Sequence, residues 1–376
     1  MNKDLLTLKK YDESERQSII STPNRIIECV TTQTMAKIGY PVRVSNICEL
    51  NKYVDCMHEG RFDVTFDNYI HHLTIYEFEL IKEVTETIIN NSKNNYGVKK
   101  IATSSLIRAL IIYRMIKHTG VKKDEGILEI GAGNGYLGLL LSADGYRYIS
   151  TDICQAFYLY QNHIMSTLLG KDKILECANH KGKLEDLNNY LFIHIPWWKF
   201  YINSSFLLNL KFKYVITCHM LAEMHINSFK YILTFLKKFL IDSCGSFLFE
   251  GWGSTVEREI FEVNKLFSDY GYVMQHNHPY GTLYTPNENN IKNVLDYSKT
   301  KVSNLDSLNE IREKFHPQIF LNQTEISKLI CKNETKYKAE QVVNKEDLKE
   351  FFKKQYDGKS YLNDDENFLN YIGVKI

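Results

Sequence analysis

One stretch constrains the fold more than any other, because it joins a short apolar run to a series of alternating glycines. Residues 127–130 form a short, mainly apolar run, as expected of a buried parallel strand, and residues 136–141 have an apolar pattern that predicts a helix. Between them lie Gly131, Gly133 and Gly135. Without a Cβ atom, glycine adopts positive φ and lets the backbone approach a neighbour closely. The stretch therefore predicts a strand, a tight glycine loop and a helix, the first unit of an α/β sheet.

Two carboxylates flank this loop. Glu129 lies within the first strand, and Asp152 ends the next apolar segment, 21 residues after Gly131. A carboxylate about 20 residues beyond a glycine loop, at the tip of the next parallel strand, is placed to accept the hydroxyls of a ribose. We therefore predict a nucleotide-containing cofactor, bound by residues that share the loop or these strand ends: Glu129, Gly131, Ala132, Gly133, Asn134, Gly135, Asp152 and Ile153.

The glycines fit two kinds of cofactor. Residues 133–138 match the dinucleotide pattern G-x-G-x-x-G, which alone is a weak signal. In the other register, residues 129–135 read Glu-x-Gly-x-Gly-x-Gly, and this pattern resembles the first motif of class I methyltransferases that use S-adenosylmethionine (SAM). The resemblance implies that Glu129 faces the methionine ammonium group. A carboxylate there would repel a pyrophosphate, so SAM is favoured, and an NAD-dependent oxidoreductase remains the alternative.

The order of apolar segments predicts a doubly wound, mostly parallel α/β sheet. Further strands are expected at about residues 190–196, 213–218 and 245–250, followed by two between residues 272 and 284, of which the last is antiparallel. With the two strands beside the glycine loop, the sheet has seven strands. This arrangement is the Rossmann-like fold that the resemblance to class I SAM methyltransferases implies.

The chain of 376 residues divides into three regions. Residues 1–120 form a mainly helical lead, with helices predicted at about 66–88 and 103–118, and residues 121–288 form the SAM-binding domain. Residues 289–376 form a helical extension that packs on the sheet or mediates association. Many class I methyltransferases place a substrate lid where the helical lead stands, which would bring Ser104 or Arg108 towards the SAM carboxylate.

Ionisable residues follow the fourth and fifth strands. His219 and Glu223 come after the fourth strand, which the resemblance implies to lie beside the SAM sulfonium and the acceptor, and Glu250 ends the fifth. A hydroxyl acceptor needs a base, and a neutral imidazole can take a proton near pH 7, so His219 is the first candidate. Glu223 is the second candidate, either as the base or as the group that orients an acceptor hydroxyl; the alternative is an acid at a helix N-terminus that the helix dipole stabilises. Glu250 completes the set of catalytic candidates.

Two tryptophans follow the predicted strand at residues 190–196. Trp197 and Trp198 stand where open α/β sheets bind ligands, so they either flank an adenine or a sugar face or fill core against a helix.

The segment 217–224, its following long helix and the helical lead resemble bacterial sugar O-methyltransferases. This resemblance implies a hydroxyl of a sugar or glycan precursor as acceptor, in cytoplasmic polysaccharide biosynthesis. A non-sugar acceptor such as a phenol, polyketide or peptide remains open. A non-catalytic scaffold with the SAM fold is a further alternative, against which the complete set of cofactor residues argues.

The composition limits which binding partners and metals can be expected. A net charge of +1, from 46 basic and 45 acidic residues, predicts no nucleic-acid partner, and no apolar stretch is long enough for membrane insertion. Eight scattered cysteines without a C-x-x-C pair predict a reduced, cytoplasmic protein without structural zinc. Glu223, His225 and Glu250 together would suit magnesium on vicinal hydroxyls, but their spacing does not require it, so we assign no metal ligand. The sequence leaves open whether the chain forms a homo-oligomer.

Overall fold

The computed structural model describes most of the chain up to residue 287. The described ranges are 6–20, 43–54, 73–98, 101–178, 187–202, 210, 212–222, 224–250, 258, 260–278, 281–287 and 342–343. The predicted C-terminal extension therefore lies outside the described residues apart from Val342–Val343, and the candidate Glu223 lies outside them too.

Helices dominate the chain before the main sheet. The helices are α1 (Leu8–Ile20), a 3-10 helix (Ile47–Tyr53), α2 (Ile75–Tyr96) and α3 (Thr103–His118). A two-residue strand, β1 (Leu73–Thr74), comes directly before α2. The bounds predicted for α3 are confirmed. The prediction of helix at residues 73–74 was wrong, because the Thr74 hydroxyl accepts from the Glu77 amide while the Glu77 carboxylate accepts from the Thr74 amide. This capping box starts α2 at Ile75.

The main sheet has eight strands in the order β4-β5-β3-β2-β6-β7-β9-β8. The strands are β2 (Gly126–Ile130), β3 (Tyr148–Asp152), β4 (Ile174–Glu176), β5 (Phe192–Pro196), β6 (Phe212–Cys218), β7 (Ser246–Glu250), β8 (Tyr272–His278) and β9 (Gly281–Pro286). β9 pairs antiparallel to both of its neighbours, β7 and β8, and the other strand pairs of this sheet are parallel. The predicted doubly wound, mostly parallel sheet is confirmed, with one edge strand, β4, beyond the seven predicted. A separate two-stranded sheet pairs β1 with β10 (Val342–Val343).

Helices cover both faces of this sheet. They are α4 (Tyr136–Ala143), α5 (Gln155–Leu169), α6 (Trp197–Ile202), α7 (Ile226–Asp242) and α8 (Ile260–Asp269). Every residue of β2, β3, β5 and β7 is buried, as expected where helices pack on both sides of parallel strands. Among the described helices, none combines the length and apolar character needed to cross a bilayer.

The two tryptophans of α6 belong to the core between β5 and α1. Trp197 donates its indole N–H to Glu15 Oε1 of α1 at 2.9 Å. The Trp198 ring packs edge-on against Tyr11, also of α1, with ring centroids 5.0 Å apart. Both tryptophans are buried. Of the two roles left open by the sequence, the structure shows the packing role.

Polar contacts tie the N-terminal lead to α5, the helix that follows Asp152. The Leu6 amide donates to Asn162 Oδ1 at 3.0 Å, and the Val44 amide donates to Gln155 Oε1 at 3.0 Å. The Gln155 side chain also donates to Asp12 of α1. The lead therefore lies over the side of the sheet that carries the carboxyl end of β3.

Candidate functional site

The glycine loop between β2 and α4 has the backbone conformation expected from the sequence. Gly131, Gly133 and Gly135 have φ angles of +71°, +56° and +74°. L-amino acids with a side chain adopt this left-handed region only at a cost. The loop is held by hydrogen bonds from the Gly131 amide to Thr151 O (2.8 Å) and from the Gly135 amide to Ala132 O (2.9 Å). It is therefore a preformed loop that joins the ends of two neighbouring strands.

The loop has one packed side and one open side. A Cβ atom on Gly131 would lie 2.5 Å from Met220 Sδ, so this glycine allows the segment after β6 to pack on the loop. A Cβ atom on Gly133 would have no heavy atom within 4 Å among the described residues. With respect to the described residues, Gly133 is consequently a point at which the loop backbone faces open space and a ligand can approach it.

Asp152, at the tip of β3, is joined to the loop. Its carboxylate accepts from the Gly133 amide at 3.0 Å and from the Cys154 amide at 2.8 Å. Burial raises the pKa of this carboxyl to about 6, against these amides and the Gln161 side chain, which lower it. Ile153, next in the chain, is half-buried. The carboxylate is thus placed and oriented by the protein itself at the strand end where a ribose was predicted.

Glu129 of β2 is buried deeper than a carboxylate usually lies, with only 2% of its surface exposed. It accepts from the Tyr148 hydroxyl of β3, and burial raises its pKa to about 7, against hydrogen bonds from Tyr148 and the Cys218 thiol that lower it. The carboxyls of Asp152 and Glu250 are close enough to raise the pKa further. A cationic ligand near the loop would relieve this crowding of carboxylates.

Asn134 is the loop residue with an unmatched polar group. It is buried, and among the described residues its side-chain nitrogen Nδ2 has no hydrogen-bond partner. Buried amide groups are normally paired, so this nitrogen is a donor that a ligand of the loop could use.

His219 follows β6 and lies beside Glu250, the last residue of β7. Its ring nitrogen Nε2 is 3.2 Å from Glu250 Oε2, and its backbone amide donates to the Glu250 carbonyl at 2.6 Å. Its φ angle of 59° is left-handed, which is uncommon for a residue with a side chain and recurs at functional sites. The structure therefore brings these two catalytic candidates together.

Arg108 of α3 completes this cluster. One guanidinium nitrogen lies 2.6 Å from Glu250 Oε1 and also contacts His219 Nε2. The sequence suggested Arg108 for the cofactor carboxylate, whereas the structure places it against the catalytic candidates. The pairing joins residues 142 positions apart in the chain, so no local pattern could have indicated it.

The other candidates divide as follows. His225 caps α7, because its ring nitrogen Nδ1 accepts from the Asn227 amide at 3.2 Å, and it is exposed. Glu223, as noted, lies outside the described residues. Within the described ranges, no group of three or more His, Cys, Asp or Glu side chains is arranged to hold a metal ion.

Comparison with known proteins gives matches among solved structures. No protein-family model matches the sequence, and no curated protein matches it. A TehB-like SAM-dependent methyltransferase from Corynebacterium glutamicum is 10% identical, with a TM-score of 0.33, over 46% of this chain and 87% of that one.

Two further matches are methyltransferases with a bound cofactor or product. A magnesium protoporphyrin IX methyltransferase from Synechocystis PCC 6803 with bound SAM is 13% identical over 54% of this chain and 97% of its own, with a TM-score of 0.34. A 1,6-didemethyltoxoflavin-N1-methyltransferase from Burkholderia thailandensis, with bound S-adenosylhomocysteine, is 13% identical over 47% of this chain and 76% of its own, with a TM-score of 0.30. The substrates in these names differ, so they identify no acceptor for this chain.

Proposed function

We propose that this protein is a SAM-dependent O-methyltransferase that methylates a hydroxyl group of a sugar or glycan precursor. The observation that carries the proposal is the group of buried carboxyls around an open glycine loop. Glu129, Asp152 and Glu250 place three buried carboxyls near the carboxyl ends of β2, β3 and β7, where β6 separates β7 from β2. Arg108 and His219 both contact the Glu250 carboxyl.

This charge distribution favours SAM over a dinucleotide. SAM has a sulfonium and an ammonium group, which are attracted to buried carboxylates, whereas NAD has a pyrophosphate, which they repel. A pyrophosphate loop also offers backbone amides to the phosphates, and here the Gly133 amide already donates to Asp152. The carboxylate-rich loop therefore supports a cationic nucleoside as its ligand.

The residues of the loop have distinct roles in this proposal. Asp152 accepts from a ribose hydroxyl, and Glu129 attracts the ammonium end. The open side of Gly133 gives the ligand close access to the backbone, and the Asn134 amide is available as a donor. When bound, SAM supplies a methyl group that an attacking oxygen can take up.

His219 is the proposed general base for that attack. Glu250 Oε2 lies 3.2 Å from the ring nitrogen Nε2 and so holds in place the imidazole that takes the proton of the acceptor hydroxyl. A base held at hydrogen-bonding distance contributes about 10² to 10⁴ in rate. Met220 packs on Gly131 and so keeps the His219 segment against the cofactor loop.

The choice of a sugar acceptor rests on the sequence of segment 217–224 and on the polar character of this edge. An alcohol hydroxyl is a poor nucleophile until its proton is removed. In the cluster of His219, Glu250 and Arg108, His219 supplies the base, and the two charged side chains beside it can form hydrogen bonds with sugar hydroxyls. A phenol or a polyketide would be expected to meet a more apolar surface.

The test is a transfer assay with isotopically labelled SAM and a panel of sugars, nucleotide sugars, phenols and short peptides, read by mass spectrometry. The proposal predicts label on a carbohydrate oxygen with the wild-type protein. His219→Ala should lose at least tenfold in turnover, consistent with the loss of a general base, while retaining its affinity for S-adenosylhomocysteine. Label transferred only to phenols or peptides would refute the sugar assignment, and equal turnover in the variant would remove His219 from the mechanism.

A further inference from the structure

We propose that Gln161, on α5, is a positioning residue that holds the glycine loop and the Asp152 carboxylate in one fixed arrangement for the cofactor. The inference rests on the proposed function, since it concerns how the same SAM site is built. Gln161 comes 28 residues after Gly133 and belongs to no motif that the sequence displays.

The side-chain amide of Gln161 reaches both halves of the site. Its nitrogen Nε2 donates to the Gly133 carbonyl at 2.8 Å and to Asp152 Oδ2 at 3.3 Å. The same Asp152 oxygen accepts from the Gly133 amide at 3.0 Å. Gly133, Asp152 and Gln161 therefore form a closed ring of hydrogen bonds, in which both backbone groups of Gly133 take part.

Ser150 sets the orientation of the Gln161 amide. Its hydroxyl donates to Gln161 Oε1 at 3.0 Å, which leaves the nitrogen end directed towards the loop. Ser150 and Asp152 are two residues apart on β3, so their side chains lie on the same face of the strand. Ser150 and Gln161 are almost completely buried, at 0% and 1% exposure. Water therefore cannot easily replace either hydrogen bond.

This burial gives Gln161 more influence than an exposed hydrogen bond would have. Removing its amide takes a donor from the Gly133 carbonyl and leaves Asp152 Oδ2 with the Gly133 amide but without its second donor, next to side chains that are almost completely buried. The amide also lowers the pKa of Asp152, so its loss favours the protonated carboxyl, which is a weaker acceptor for a ribose hydroxyl. Both effects weaken cofactor binding without removing any atom that touches the cofactor.

The experiment compares three variants with the wild-type protein. Gln161→Met keeps the length of the side chain without its hydrogen bonds, and Ser150→Ala removes only the group that orients the amide. Tyr96→Phe is the matched control, because it deletes a buried 2.8 Å hydrogen bond to His163 on the same helix without touching the loop. Circular dichroism and thermal melting establish which variants fold, and calorimetric titration with S-adenosylhomocysteine gives their affinities.

We expect Gln161→Met to weaken the affinity by about tenfold to a hundredfold, as for the loss of buried hydrogen bonds, and Ser150→Ala by about threefold to tenfold. The Tyr96→Phe control should stay within twofold of the wild-type protein. If Gln161→Met does not fold, Ser150→Ala carries the test. Wild-type affinity in the Gln161 and Ser150 variants, or an equal loss in the control, overturns the positioning role.

A double-mutant cycle with Asp152→Asn separates positioning from general structural support. Because part of the effect of Gln161 passes through Asp152, Gln161→Met should weaken binding at least threefold less in the Asp152→Asn background than in the wild-type protein. Equal factors in the two backgrounds overturn this coupling. A wild-type protein that fails to bind S-adenosylhomocysteine contradicts the proposed function itself, whereas normal wild-type binding with unaffected variants contradicts the role of Gln161 alone.

Discussion

Substituting Gly133 by alanine separates the ligand-facing side of the glycine loop from its packed side. Gly133 has a left-handed φ of +56°, and a Cβ atom there would meet no described heavy atom within 4 Å. The stability cost of Gly133→Ala is then the cost of the left-handed backbone alone, about 1–2 kcal/mol. The new methyl group projects into the space where the ligand is proposed to approach the backbone.

Gly131→Ala and Gly120→Ala provide the comparison. Gly131 has a similar φ, but its methyl group would lie 2.5 Å from Met220 Sδ, so overpacking adds about 1–3 kcal/mol to the backbone cost. Gly120 has a φ of +75° and the same open surroundings, but it lies just past the end of α3, away from the loop. It is the matched control for the backbone cost.

Urea unfolding and calorimetric titration with S-adenosylhomocysteine measure the two effects. Gly133→Ala and Gly120→Ala should lose similar stability, and Gly131→Ala should lose more. Only Gly133→Ala should combine a small stability loss with an affinity at least tenfold weaker, since its methyl group displaces the ligand. Wild-type affinity in Gly133→Ala would refute the assignment of the open side of the loop to the ligand.

Two other predictions concern charge. Burial raises the pKa of Asp152 to about 6 and that of Glu129 to about 7. Lowering the pH from about 8 to about 5 should therefore protonate both carboxyls and weaken the binding of S-adenosylhomocysteine. Calorimetric titration across this range measures the effect, and an affinity that does not change with pH would count against the carboxylate contacts. Arg114 makes two hydrogen bonds of 2.6 and 2.7 Å to Glu77, and both side chains are buried. Arg114→Met should lower the free energy of unfolding by about 3–5 kcal/mol because it leaves a buried charge unpaired, and a loss below about 1 kcal/mol in urea titration would contradict this.

The strands and the glycine loop could be predicted because their signals are local. The apolar run at residues 127–130, the three glycines and the strand-end Asp152 lie within 26 residues, and each has a direct physical meaning in a parallel sheet. The edge strand β4 was missed because it has three residues, too few for a periodic pattern, between polar segments. The start of α2 did have a local signal, Thr74-x-x-Glu77, which a search for capping boxes would have found.

The side chains that complete the site could not be predicted in the same way. Arg108 reaches His219 and Glu250 across 111 and 142 residues, and these contacts depend on how α3 packs against the sheet. Trp197 is paired with Glu15 across 182 residues, so the sequence left its role open until the position of α1 was known. Contacts of this kind follow from tertiary packing, which a single sequence does not display.

Calorimetric titration of the wild-type protein with S-adenosylhomocysteine, with NAD and NADP as comparison ligands, tests the central claim most directly. The carboxylate-lined loop predicts micromolar binding of S-adenosylhomocysteine and no binding of either dinucleotide. Binding of a dinucleotide alone would contradict the assignment of a SAM site and would indicate an oxidoreductase instead.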